Sequence, residues 1–297
     1  MQSDFDFDAT RIERKAPEEN MIDVMEGSAR WEVKVHDHGL VALIDVMPRL
    51  VPAGKTADFA IVQAARVSYG QGTRQVNEDR GLIRYLARHR HTTPFEMVEF
   101  KFHHVMPIFV ARQWIRHRTA NVNEYSARYS VVRDRFYRPS IENVRKQSTV
   151  NRQGGDEPID EMTARQFIEY LERAEAHYAD YQRLIDQGVA RELARIGLPV
   201  NVYTEWYWKI DLHNLFHFLS LRMDEHAQQE IRDYASAMFA LIRPIVPAAA
   251  EAFVDYQLGA MHLTRLEIEA LRTGKPLAAE NKRENMEWEQ KRKRLGM

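Results

Sequence analysis

Two stretches, 31–36 and 98–103, alternate apolar and polar residues, and other segments repeat at helical spacing. A chain carrying both periods has to pack a sheet against helices. Trp31, Val33 and Val35 alternate with Glu32, Lys34 and His36. Asp37-His38-Gly39 supplies turn chemistry and 40–47 (LVALIDVM) is a second apolar run, so 31–47 predicts a hairpin. Val98, Phe100 and Phe102 alternate with Glu99, Lys101 and His103, which predicts a strand over 97–104. Helical spacing covers 57–68, 77–89, 161–187 and about 224–243. In the third of these, Phe167, Tyr170, Leu171, Ala174, Tyr178, Tyr181, Leu184 and Ile185 share one face, and Gly188 can end the helix. Pro107 suits the first turn of a helix running to about 118, and Asp211 suits the N-cap of a helix carrying Leu212, Leu215, Phe216 and Leu219.

Residues 119–131 carry no helical period, and 141–160 reads as a polar loop. With strands in the first half and helices in the second, the expected class is α/β of the α+β kind, a mixed sheet core with long helices. Residues 1–30 read as a charged arm, 31–260 as the main domain, and 261–297 as a charged tail whose end, 275–297, reads as a solvated helix or a frayed end.

Composition narrows the chemistry. At 297 residues with 44% hydrophobic content, the chain can bury a sizeable core. Lys+Arg is 42 and Asp+Glu is 43, which argues against a globally basic nucleic-acid binder. There is no cysteine, which removes disulfides, Cys-ligated zinc, iron–sulfur clusters and every thiolate nucleophile. No apolar run approaches the ~20 residues of a membrane span. The opening MQSDFDFDATRIERK lacks the apolar centre of a signal peptide, so a cytoplasmic protein is expected.

Several nucleotide and hydrolase motifs are missing. Gly54-Lys55-Thr56 has Arg49 where a P-loop needs its first glycine, and Gly70 and Gly72 lack the third glycine of a dinucleotide fingerprint. His213 and His217 stand four apart with His226 beyond, a spacing that can hold metal. No carboxylate occupies the zincin position between them, so pocket histidines without metal are expected.

The dense cluster is 112–129. Arg112 and Arg116 are like charges one helical turn apart beside Ile108, Phe109, Val110 and Trp114. A half-buried cation wants an anion. On the expected helix Gln113, Arg116 and His117 share a face. In an extended segment Glu124, Ser126 and Arg128 would point to one side. A hydroxyl beside a guanidinium suits a phosphate, and a carboxylate suits a ribose hydroxyl or an amide N–H. The residues by themselves leave two readings open, a site for a phosphorylated ligand and a structural salt-bridge cluster.

Arg116-His117-Arg118, seven residues, then Ser126 resembles the RHR…S motif of the flavin-dependent thymidylate synthases. The resemblance extends through AARVSYG at 64–70, HRHTTPFEM at 89–97, PIFVARQW at 107–114, ELARIGLPVNVYTEWYW at 192–208 and LFHFLSLRMDEHAQQEIRDYA at 215–235. It implies a homotetramer whose sites draw on more than one subunit. It also implies methylation of dUMP to dTMP with FAD as cofactor, NADPH as reductant and methylenetetrahydrofolate as carbon donor. Arg116, His117, Arg118, His91, Thr93, Glu124, Asp211, His213 and His217 match flavin-contacting positions, with Ser68 a weaker match. Gln113, Arg116, Glu124, Tyr125, Ser126, Ala127, Arg128, Arg195 and Arg222 match dUMP-binding positions. Arg222 matches the residue that favours ionisation of the uracil ring at N3. No metal, membrane or nucleic-acid partner is implied. Two rivals, a metal-dependent sugar-phosphate or nucleotide hydrolase using Glu124 and the histidines and an RNA-binding module using Arg112 to Arg128, explain the cluster but not the long collinear match.

Overall fold

A five-stranded antiparallel sheet forms the centre, and in Trp31–Val35 and Tyr203–Asp211 the alternation separates a more buried face from a more open one. The computed structural model describes residues 20–67, 79–148 and 155–297. The sheet comprises β2 (Trp31–Val35), β3 (Gly39–Met47), β5 (Glu99–Pro107), β6 (Asn121–Glu124) and β9 (Tyr203–Asp211), in the order β2-β3-β5-β9-β6. Two short ribbons flank it: β1 (Met21–Asp23) with β4 (Leu50–Pro52), and β7 (Arg145–Gln147) with β8 (Gly155–Pro158). The hairpin forms as its sequence predicts, with Trp31 opposite Leu43 and Val35 opposite Gly39. The strand expected over 97–104 forms as β5 and runs on to Pro107.

The helices are α1 (Asp58–Val67), α2 (Asp79–Arg88), α3 (Thr93–Glu96), α4 (Ile108–Trp114), α5 (Glu161–Glu175), α6 (His177–Asp186), α7 (Arg191–Ala194), α8 (Leu212–Arg222), α9 (Gln229–Ile242), α10 (Pro247–Phe253), α11 (Arg265–Thr273) and α12 (Lys282–Arg294). The chain divides into two units, Met1–Ala250 and Glu251–Met297. In the first, Phe100, Phe102, Trp206, Trp208 and Ile210 face the core, where α4, α8 and α9 supply Trp114, Phe218 and Tyr234. Asp58 accepts the backbone N–H groups of Ala248 and Ala249 and so caps the start of α10. In the second unit Thr264 and Glu267 make a capping box on α11, and Lys291 of α12 pairs with Glu267 at 2.8 Å. The charged tail is therefore a helix with a partner rather than a frayed end.

Four expectations need correction. The second half is not purely helical: β9 lies in it and is the strand between β5 and β6. The 161–187 helix breaks at Ala176 into α5 and α6. The break lets the Tyr178 hydroxyl donate to the Val132 carbonyl (2.7 Å) and the Tyr181 hydroxyl accept from the Val132 N–H (2.9 Å), while Phe167 and Tyr170 stay exposed. The 224–243 helix starts at Gln229, because the Asp224 carboxylate accepts the His226 N–H at 2.8 Å and holds a turn there. The 141–160 loop carries the β7–β8 ribbon.

Gly39 opens β3 against α9. A Cβ there would meet the Tyr234 hydroxyl at 2.1 Å and the Val35 carbonyl at 2.3 Å. Tyr234 cannot yield freely, since its hydroxyl donates to the Val105 carbonyl at 2.9 Å. Gly39→Ala should cost about 1–3 kcal/mol by overpacking. Thermal unfolding checks this, and an unchanged midpoint would contradict it.

Candidate active site

The site begins where β5 ends. Pro107, with φ −63° and ψ 147°, is the residue before α4, so its missing N–H costs nothing. The helix stops at Trp114 instead of reaching 118. Trp114 is fully buried against Trp206, Trp208 and Phe218, with ring centroids 4.8–5.8 Å away. Once that ring is seated the chain turns, with the His117 N–H on the Trp114 carbonyl at 3.0 Å. Arg116, His117 and Arg118 therefore lie on a turn, not on a helix face shared with Gln113.

Arg222 closes α8 and meets this turn. Its Nε donates to His117 Nε2 at 3.1 Å, and a terminal nitrogen lies 3.4 Å from the Gln113 carbonyl. His117 accepts with a lone pair, so its ring is neutral and its proton sits on Nδ1. Burial lowers the His117 pKa to about 4, and the charges of Arg222 and His217 push the same way. Desolvation also lowers the Arg222 pKa, but a guanidinium stays charged. The rings of His217 and Phe218 stand 6.1 and 4.9 Å from His117. The Gln113 amide donates to Gln228 Oε1, at the N-cap position of α9.

Arg118 lines an open cavity of about 280 Å³ with Glu99, Asn121, Lys209 and Asp211. Lys209 pairs with Glu99 at 2.7 Å. Asp211 is the α8 N-cap, as its sequence position predicts. Its carboxylate accepts the Asn214 N–H at 2.9 Å and the Asn214 side-chain amide at 2.6 Å. His213 follows in the first turn of α8. Thr93 opens α3, which packs on α8, and His91 is exposed with its ring stacked 6.1 Å from Tyr85. Ser68 lies outside the described residues.

A second group forms beyond β6. The Tyr125 N–H bonds the Glu205 carbonyl at 2.8 Å and continues the pairing of β6 with β9. The extended register expected for Glu124, Ser126 and Arg128 ends there. Ser126 opens a turn: its carbonyl accepts the N–H groups of Tyr129 (3.1 Å) and Ser130 (3.2 Å). The turn also seats Ala127 on the apolar cluster of Val132, Phe136, Tyr181 and Ala194, burial that a straight strand would forgo. Arg128 pairs with Glu192 at 3.1 Å, and Arg191 donates to the Tyr129 carbonyl at 2.8 Å. These bonds bring up α7 and the turn after it, which carries Arg195.

The site residues thus fall into two groups. Among the described residues, no hydrogen bond, ion pair or ring contact joins Gln113, His117, His217 and Arg222 to Glu124–Arg128 and Arg195. Large apolar side chains stand exposed near the second group: Tyr129, Leu193, Ile196 and Val200.

The family model described as thymidylate synthase complementing protein (Thy1) matches residues 49–248. A flavin-dependent thymidylate synthase of Dictyostelium discoideum is 68% identical over 290 residues, covering 98% of this chain and 96% of the relative. One from Gluconobacter oxydans is 50% identical, covering 93% and 91%. The chain belongs to the flavin-dependent thymidylate synthase family. Among solved structures, the UMP/dUMP methylase PolB from Streptomyces cacaoi, bound with 5-Br dUMP, aligns with a TM-score of 0.65 at 34% identity. It covers 76% of this chain and 99% of that one.

Two contacts of this family member escape a reading by motif. Gln228 forgoes capping its own helix and instead holds Gln113. Its signal in the sequence is a glutamine where Ser, Thr, Asp or Asn is preferred. Thr204 reaches Glu124, and its signal is a hydroxyl in line with Trp206, Trp208 and Ile210.

The His117 shift has a definite sign. An unfolded histidine takes up a proton near pH 6.5, while the folded one waits until about pH 4. His117 therefore adds no penalty above pH 6.5 and destabilises the fold as pH falls from there toward 4. An NMR titration of the ligand-free protein should show the His117 ring unprotonated down to about pH 5, and Arg222→Ala should raise its midpoint. A wild-type midpoint near 6.5 would contradict the lone-pair bond.

Proposed function

We propose that the chain methylates dUMP to dTMP by chemistry that centres on Arg222. Methylenetetrahydrofolate supplies the carbon, NADPH the reducing equivalents, and tetrahydrofolate is released. The observation that carries this reading is the half-buried guanidinium of Arg222, fixed by the neutral His117 ring in a chain without cysteine. With no thiolate to attack the uracil ring, C5 has to gain electron density another way. A fixed cation beside the pyrimidine stabilises negative charge on it as N3 loses its proton, and the anionic ring is the better carbon nucleophile.

The donor set fits a flavin dinucleotide. Arg116 and Arg118 stand exposed on their turn, two guanidiniums that suit a diphosphate, and the cavity beside Arg118 adds the Asn121 amide, while Lys209 there is already paired with Glu99. Bound FAD supplies the hydride once reduced. We place it against Arg116, His117 and Arg118, with His91, Thr93, Glu124, Asp211, His213 and His217 around it. Ser126, Arg128 and Arg195 suit the dUMP phosphate, and Gln113, Glu124 and the backbone at Tyr125 and Ala127 suit the nucleoside. Among the described residues the Ser126 hydroxyl is hydrogen-bonded to the Arg128 N–H, at 3.4 Å, and to no basic side chain, so it binds and does not attack.

We infer that each site takes its two groups from different copies in a homotetramer. Among the described residues no direct side-chain contact joins the two groups, and the exposed apolar residues near the second suit burial against another subunit. This machinery lies within 31–260, with 1–30 and 261–297 outside it. Among the described residues no helix is long and apolar enough to cross a membrane. We place the enzyme in the cytoplasm, with no nucleic-acid partner and no metal.

The test is anaerobic. The bound flavin is reduced, and its reoxidation is followed after dUMP and methylenetetrahydrofolate are added. Arg222→Ala should slow this single turnover by ~10²–10³, because the charge it stabilises develops during chemistry. Arg222→Lys keeps the charge without the planar fork and should recover part of the loss. An unchanged rate in Arg222→Ala would remove Arg222 from the chemistry.

A further inference from the structure

Thr204 lies on the buried face of β9, in line with Trp206, Trp208 and Ile210. A hydroxyl there costs free energy unless it is bonded, and valine would fill the same space without that cost. The Thr204 hydroxyl donates to Glu124 Oε1 at 2.7 Å. Glu124 is the last residue of β6, exposed at the edge of the sheet and opposite Trp206. One residue later the Tyr125 N–H bonds the Glu205 carbonyl, so backbone and side chain are both held where the Ser126 turn begins.

The nearby carboxylates are used differently. Glu205 stands 3.6 Å from His103 and 3.5 Å from Arg133, and Glu192 pairs with Arg128. Among the described residues Glu124 has no cation at ion-pair distance; the partner of its side chain is the neutral Thr204 hydroxyl. A hydroxyl orients a carboxylate without cancelling its charge. It also spends one oxygen and restricts a side chain that would otherwise sample several rotamers.

We propose that Thr204 is a positioning residue of the active site. Its hydroxyl fixes one oxygen of Glu124, so that the other faces, still charged, a hydroxyl or N–H donor on the bound nucleotide or flavin. This rests on the assignment of Glu124 to ligand binding. The dUMP arm and the flavin arm of the test separate the two ligands.

The flavin-loaded enzyme is compared with Thr204→Val, which keeps the shape, and Thr204→Ser, which keeps the hydroxyl. Thr204→Val should raise the KM for dUMP, or the Kd for flavin, by roughly three- to tenfold, with kcat little changed and the unfolding midpoint no lower. Thr204→Ser should stay close to wild type. In a Glu124→Gln background, where the receiving carboxylate is altered, Thr204→Val should add less than it does alone. Full additivity in that cycle would overturn the proposal. So would a Thr204→Val enzyme with normal KM and Kd when Glu124→Gln is impaired. If Glu124→Gln alone leaves both constants unchanged, the assignment of Glu124 falls and the proposal falls with it. If Thr204→Val does not accumulate as soluble protein, the same cycle is run with Thr204→Ala, which also removes the hydroxyl, and additivity there also overturns the proposal.

Discussion

The bond from Arg222 Nε to the lone pair of His117 is the constraint around which the active site is arranged. It needs an uncharged imidazole beside a permanent cation, and burial of the ring together with the charge of Arg222 keeps it uncharged. It also needs His117 to stand off the helix. The early stop of α4 at Trp114 provides that by anchoring the indole among Trp206, Trp208 and Phe218. The aromatic core therefore does more than fill space, because its packing sets where the RHR turn begins. Phe218 serves both sides, stacked on Trp114 and edge-on to His117.

Strand β9 connects this arrangement to the rest of the site. Its start pairs with Tyr125 and bonds Glu124, and its end, Asp211, caps the helix that carries His213, His217 and Arg222. One nine-residue strand thus leads from the Ser126 turn to the helix that ends in Arg222. Helix α9 adds a tie through Gln228 to Gln113 and through Glu230 to the Tyr137 hydroxyl at 3.0 Å.

Much of this was legible in residue order. The hairpin at 31–47, the strand near 97–104, the Asp211 cap and the family motif all follow from local pattern. What local pattern missed depends on partners distant in sequence. The α4 helix looks longer than it is because Ile115 and His117 continue a plausible helix, and only the seating of Trp114 stops it. The single helix over 161–187 divides because Tyr178 and Tyr181 both bond Val132, far upstream. The straight strand through Arg128 fails because Ala127 finds an apolar cluster formed largely by residues 132–202. The family motif named the candidate site residues, but their division into two groups is visible only in three dimensions.

That division is tested most directly by mixing subunits. Arg222→Ala disables one group and Arg128→Ala the other, so each variant alone should form little dTMP. If every site combines groups from two copies, co-expressed and differently tagged variants should form mixed assemblies in which some sites carry both intact groups. Purified mixed assemblies should then form dTMP well above either parent. Mixed assemblies no more active than the parents, with both tags present, would contradict a site built across subunits.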